Sequence, residues 1–237
     1  MSRIVAAIPI KTISKRVPRK NFRDFAGKPL YSYIISAALN AGSFDDVYVD
    51  TDSDEIKTYA SAVGAKVIDR VPELAEDTAN GNDLMVYHSS VLPDADVIFQ
   101  LYATAPLLSA DSIRSCVKTL EENRGYDSIF TVTEEYGWYW YQNMPVNYRP
   151  SVLPRSQDAT PVVKESTGLY GIYRETVEKY RERIGTKPYM YIIPHEEALD
   201  IDTDFDFTYA EATARDRGVV DRVLSAPVVA QVGQAAS

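Results

Sequence analysis

The 237-residue sequence holds one cysteine and two histidines, and nowhere a run of about 18 consecutive apolar residues. The single cysteine excludes an intramolecular disulfide. Cys116, in a segment of helical spacing with no histidine beside it, reads as core rather than as a thiol nucleophile. His88 and His195 stand too far apart in the chain for a zinc signature. His88 falls on an expected helix and reads as a packed or surface residue rather than a base, while His195 precedes an acidic run and stays undecided. Without a long apolar run no membrane span is expected, and Met1 to Pro9 lacks the regions of a signal peptide, so a cytoplasmic location is expected. Neither Gly-x-x-x-x-Gly-Lys-Ser/Thr nor Gly-x-Gly-x-x-Gly occurs, which weighs against a P-loop hydrolase and a dinucleotide-dependent dehydrogenase.

What is present is ordinary globular composition, 45% apolar and 25% charged residues, far from the signature of disordered chains. The length suits one large domain, expected over residues 1–222, with a flexible tail at 223–237. Arg3 to Ile10 is continuously apolar, as a parallel strand covered on both faces would be. Pro29 to Ala41 reads as a helix stopped by Gly42, and Ser53 caps another that runs to Val63. Strands at 47–50, 66–68, 97–101, 128–132 and 168–173, with an edge strand at 189–193, alternate with helices at 82–92, 111–123, 175–183 and 205–216. That rhythm predicts an α/β fold with a doubly wound, mostly parallel sheet. It breaks at residues 134–161, an expected inserted arm, where Tyr136, Trp138, Tyr139, Trp140, Tyr141 and Tyr148 crowd together.

Charge is distributed unevenly. The chain totals −9, which opposes attraction to nucleic acid or to an anionic membrane. Yet Lys11 to Lys28 carries seven cations against Asp24 alone, a local +6 that leaves −15 for the remainder. This loop follows the first strand, at the edge where open α/β sheets bind ligands, and suits a small polyanion such as phosphate. Near the other end, Glu196 to Asp206 holds six acids and no base. On extended backbone, Asp200 and Asp202 would point to one side and suit Mg²⁺ bound with a nucleotide's phosphates. The competing expectation is that these acids face water and cap the last helix, a role that suits Asp204. Together, the cationic loop and the acidic pair point to a nucleoside triphosphate with its metal.

The loop Ser14-Lys15-Arg16-Val17-Pro18-Arg19-Lys20-Asn21, with Gly27-Lys28-Pro29-Leu30, resembles the signature of the CMP-sialic acid synthetases, the acylneuraminate cytidylyltransferases. Asp50-Thr51-Asp52, Pro72 to Ala79 and Asp200-Ile201-Asp202-Thr203 resemble the family's later blocks in the same order, so the likeness extends from Ile4 to Ala214. It implies a nucleotidyltransferase-like, Rossmann-type fold and transfer of CMP from CTP to the anomeric hydroxyl of an acidic α-keto sugar, with Mg²⁺ required and pyrophosphate released. By position, Lys11, Ser14 and Lys15 would hold the triphosphate, and Lys20 would stabilise the α-phosphate. Asn21, Arg70 and Ala79 would line the cytosine pocket, and Asp200 and Asp202 would bind the metal. Lys11, Lys20 and Asp202 are the expected catalytic set.

Two departures matter. Ile10-Lys11-Thr12-Ile13 stands where the family has Ala-Arg-Gly-Gly, and a positive φ would be costly at Thr12 or Ile13, so another backbone path is expected. Tyr102-Ala103-Thr104-Ala105-Pro106-Leu107 and Arg155-Ser156-Gln157-Asp158 resemble the pseudaminic acid branch, which makes Tyr102, Thr104, Arg155 and Gln157 the expected acceptor residues. The resemblance also implies that the arm at 134–161 reaches a second subunit; its six aromatics in thirteen residues suit an interface, and a homodimer is expected, with a lid over its own domain as the alternative. Two other functions compete: a metal-dependent glycosyltransferase using Asp200 and Asp202, and a nucleotide-binding protein without catalysis.

Overall fold

The continuous apolar character of the first strand, β1 (Ile4–Ile10), has a direct cause: all seven of its residues are buried. Ile4, Ala6, Ile8 and Ile10 join one core with Ile34, Ile35 and Ile113, while Val5 and Ala7 join another with Met85 and Val177. A strand covered on both faces cannot alternate apolar with polar residues.

The computed structural model describes residues 2–76 and 78–224. After β1 come β2 (Asp24–Phe25), β3 (Lys28–Pro29), α1 (Tyr31–Ala41), β4 (Asp46–Thr51), α2 (Asp54–Ala62), β5 (Lys66–Asp69), α3 (Pro72–Ala75) and α4 (Gly81–Val91). There follow β6 (Val97–Leu101), α5 (Ala110–Glu122), β7 (Ser128–Glu135), β8 (Trp140–Tyr141), β9 (Met144–Pro145), β10 (Val162–Tyr173), α6 (Arg174–Tyr180), β11 (Pro188–Ile192) and α7 (Asp204–Asp216). Seven strands form the central sheet in the order β11-β7-β10-β6-β1-β4-β5. Only β10 is antiparallel to its neighbours. The expected doubly wound α/β architecture is therefore observed, and β1, β4, β5 and β6 deliver their carboxyl ends to one edge.

Where boundaries differ, local physics explains it. The strand expected at 168–173 begins at Val162, because the pairing register shifts between Glu165 and Tyr170. Such an irregularity breaks the two-residue alternation that marks a strand in sequence. The helix expected to reach Arg183 stops at Tyr180, where Arg181 turns left-handed at φ 58°. The tail expected from residue 223 is docked at its start: Val223 is buried beside Tyr33 and Phe207, and Leu224 donates its N–H to Ser36 Oγ at 2.9 Å. Residues 225–237 lie outside the described residues. Among the described residues, no helix is long and apolar enough to cross a membrane.

Within the arm, β8 and β9 pair across Gln142 and Asn143, whose φ values of 47° and 62° match a two-residue hairpin turn with both central residues left-handed. Trp138 and Trp140 each lie 6.2 Å from the Tyr148 ring, so the aromatics support one another. Even so, Trp140 and Tyr141 stay 57% and 68% exposed.

Candidate active site

The basic loop leaves β1 at the carboxyl edge and is tied down at Thr12, whose N–H and hydroxyl both donate to Asp52 Oδ1, at 2.8 and 2.9 Å. Neither Thr12 nor Ile13 has positive φ, and the loop's left-handed residue is Arg19 at 53°. The loop thus avoids the strained conformation at Thr12 and Ile13, with a carboxylate anchoring it. A 3₁₀ turn at Lys20–Phe22 then buries Lys20 and Asn21, and Asn21 Nδ2 donates to the Lys11 carbonyl at 2.9 Å.

This turn closes a cavity of about 480 Å³ lined by Lys11, Ser14, Lys15, Lys20, Asn21, Arg70, Ala79, Tyr102 and Thr104. Every residue expected at the nucleotide, and two of the four expected at the acceptor, come together there. Arg155 and Gln157 do not. They lie at the exposed turn Ser156–Asp158 of the arm, where Arg155 pairs with Asp158 at 2.5 Å, and within one chain they do not line this cavity.

The acidic pair approaches from the far end of the chain. Ile201 donates its N–H to the Thr104 carbonyl at 2.8 Å, and its side chain packs with Phe25 and Phe207. The flanking Asp200 and Asp202 lie in the segment between β11 and α7. Lys20 Nζ donates to the Ile201 carbonyl between them at 2.5 Å. Burial lowers the Lys20 ammonium below its usual range, opposed by Asp200 and then Asp202. Arg16 meets Asp202 Oδ2 at 2.6 Å. Asp200 Oδ1 is buried with no hydrogen-bond partner, an uncommon and costly arrangement. Among the described residues no cluster of three or more His, Cys, Asp or Glu side chains occurs, so a cation here would draw on two carboxylates and on its ligand.

Asp204 does not cap α7. Thr203 does, in a capping box with Asp206, while Asp204 pairs with Arg23. Cys116 is buried core, and burial pushes its thiol up, far from a nucleophile's range. His195 lies 3.6 Å from Glu135 on a smaller cavity of about 290 Å³ with Lys164, Glu165 and Ser166.

Sequence reasoning missed a buried polar group behind the nucleotide cavity. Arg70 Nε and Nη2 reach Asp50 Oδ1 and Oδ2 at 3.1 and 2.7 Å. His88, packed as expected but not merely a filler, lies 3.0 Å from the same Oδ2. The signal was available: Asp50 and Gln100 are polar residues inside otherwise apolar strands, VYVDT and VIFQL, and both are fully buried.

A family model described as cytidylyltransferase matches residues 5–222. The chain belongs to the cytidylyltransferase family. It is 33% identical over 216 residues to N-acylneuraminate cytidylyltransferase A of Danio rerio, covering 88% of this chain and 50% of that protein. It is 34% identical over 219 residues to the pseudaminic acid cytidylyltransferase of Campylobacter jejuni, covering 86% and 93%. The chain thus spans about half the length of the fish relatives and nearly all of the bacterial one. A CMP:2-keto-3-deoxy-manno-octonic acid synthetase complexed with CTP shares its fold with a TM-score of 0.66 at 19% identity, covering 91% of this chain and 100% of that one. The resemblance carried by the motif blocks therefore holds, and the structural likeness shows the nucleotidyltransferase fold.

Proposed function

We propose that this cytidylyltransferase transfers CMP from CTP to the anomeric hydroxyl of an acidic α-keto sugar, a nonulosonic acid such as pseudaminic or sialic acid, and releases pyrophosphate. One observation carries the reading: Lys20, from the basic loop, bonds the carbonyl between Asp200 and Asp202 at the margin of a single cavity lined by the other expected nucleotide residues. Lys11, Ser14 and Lys15 hold the triphosphate, and Asn21, Arg70 and Ala79 surround the base. Tyr102 and Thr104 stand on the acceptor side.

Nucleotidyl transfer demands mainly that the attacking oxygen be placed in line and that charge on the α-phosphate and leaving pyrophosphate be stabilised. Lys20 supplies a preorganised cation for the α-phosphate, and its burial strengthens that interaction relative to water. Asp200 and Asp202 are the residues that would hold Mg²⁺, and the partnerless Asp200 Oδ1 fits such a role. When bound, Mg²⁺ would supply further charge neutralisation at the phosphates.

The exposed aromatic arm supports a homodimer in which it packs on a second copy, the arrangement that would cover Trp140 and Tyr141. The activity is tested by incubating the protein with CTP, Mg²⁺ and a panel of nonulosonic and octulosonic acids while following pyrophosphate. Turnover with an acid and CTP is expected; turnover only with another nucleotide and a sugar phosphate would overturn the reading.

A further inference from the structure

Behind the cavity, three polar side chains without any exposed surface, Gln100, His88 and Asp50, link two of its lining residues. Tyr102 Oη lies 2.5 Å from Gln100 Oε1, Gln100 Nε2 lies 3.5 Å from His88 Nδ1, and His88 Nε2 lies 3.0 Å from Asp50 Oδ2. At the far end Asp50 accepts from Arg70.

The chain has one sense of donation. Burial alone would raise the Asp50 carboxyl, but His88 and Arg70 together hold it below its usual range, so it is an acceptor only. His88 therefore carries its proton on Nε2 and accepts at Nδ1, which calls for the amide NH₂ of Gln100. Gln100 Oε1 then accepts from Tyr102, whose phenol burial keeps protonated. The Tyr102 oxygen remains an acceptor for Arg183 Nη1 at 3.3 Å. Reversing any one side chain would set donor against donor or acceptor against acceptor.

Arg70 shows what this order achieves. Its Nε and Nη2 are engaged by the Asp50 carboxylate and carbonyl, which fixes the guanidinium of a residue that lines the cavity. A guanidinium fixed in this way presents only donors, which suits the O2 and N3 acceptors of cytosine, whereas uracil presents an N–H at N3.

We infer that His88 and Gln100 are positioning residues for base discrimination: they hold the Asp50–Arg70 pair and the Tyr102 hydroxyl in one hydrogen-bonded unit, so that Arg70 meets the base in a single orientation. The inference rests on the cytidylyltransferase reading. Neither residue touches the nucleotide; both act through Arg70 and Tyr102.

Equilibrium titration with CTP and with UTP, in the presence of Mg²⁺, tests it on the wild type, His88→Leu, His88→Gln, Gln100→Leu, Tyr102→Phe and the double variant His88→Leu/Tyr102→Phe. In His88→Leu the CTP dissociation constant is expected to rise about tenfold or more while UTP binding changes little, so that the preference for CTP narrows. His88→Gln, whose amide NH₂ reaches the place of Nε2, is expected to retain most of that preference. The double variant should lose less than the product of its two single losses, because both cut one chain. Thermal unfolding identifies the folded variants, and Gln100→Leu carries the same comparison should His88→Leu fail to fold. A wild-type preference for CTP that survives intact in the folded variants, or equal weakening of CTP and UTP, overturns the relay alone. A wild type that binds both nucleotides alike overturns the cytidylyltransferase reading, and the relay with it.

Discussion

Two aspartates bordering this cavity are treated in opposite ways. Asp50 is fully buried, and its carboxylate is completed by Arg70 and His88. Asp200 has a buried oxygen that the protein leaves without a partner. A carboxylate satisfied by its own fold serves the fold; one with a buried oxygen that makes no hydrogen bond is the one proposed to meet the metal. The contrast separates scaffold from reaction more sharply than residue type does, since both are aspartates in blocks that resemble the same family.

The largest effect should come from breaking the satisfied partner. Asp50→Ala leaves the Arg70 guanidinium buried without its counter-ion, and a loss of about 3–5 kcal/mol in unfolding free energy is expected from denaturant titration. A loss under about 1 kcal/mol would show that Arg70 finds water or another acceptor, and the distinction drawn here would fail.

On the reactive side, Lys20→Met should remove about 3–4 kcal/mol of transition-state stabilisation, a fall in kcat on the order of 10²–10³, with CTP still bound. Steady-state kinetics paired with nucleotide titration checks this. Equal loss of binding and rate would make Lys20 a binding residue rather than a catalytic one.

Asp200→Asn sharpens the comparison directly. Because Asp200 Oδ1 makes no hydrogen bond in the fold, Asp200→Asn should alter stability by no more than about 1 kcal/mol, while Mg²⁺-dependent turnover disappears. A thermal shift produced by Mg²⁺ with CTP in the wild type should vanish in the variant. If Asp200→Asn destabilises as strongly as Asp50→Ala, the two acids do the same job.

The smallest effect is in pH dependence. The Asp50 carboxyl lies below its ordinary value of 3.8 in the folded protein, so its contribution to stability is complete above that value and is lost as pH falls through the lower folded value. The stability difference between wild type and Asp50→Ala should therefore shrink as pH drops below 3.8. A difference that stays constant across that range would mean that the Asp50 interactions do not depend on its charge.

The sequence carried more of the site than of its support. The cations from Lys11 to Lys28 and the acids Asp200 and Asp202 were legible because charge density and two-residue spacing are local properties. The motif blocks added Arg70 and Ala79, which charge and spacing do not single out. Asp50, His88 and Gln100 stayed illegible as a unit: they lie on β4, α4 and β6, and only the strand order that places β4 and β6 on either side of β1 brings them together. The long β10 was obscured by its register shift, and the arm's aromatics announced an interface without saying which side chains would stay exposed.

Local chemistry along the chain thus determined the alternation of strand and helix, the double-sided burial of β1 and the cluster of cations after it, because side-chain period and charge act between near neighbours. Only the tertiary structure decided that Lys20 meets Ile201, 181 positions away, that Asp50 is completed while Asp200 is not, and that Arg155 stands apart from the cavity. Those outcomes depend on how distant segments share a buried volume, and burial is what sets a carboxylate completed by its own fold apart from one whose oxygen finds no hydrogen-bond partner.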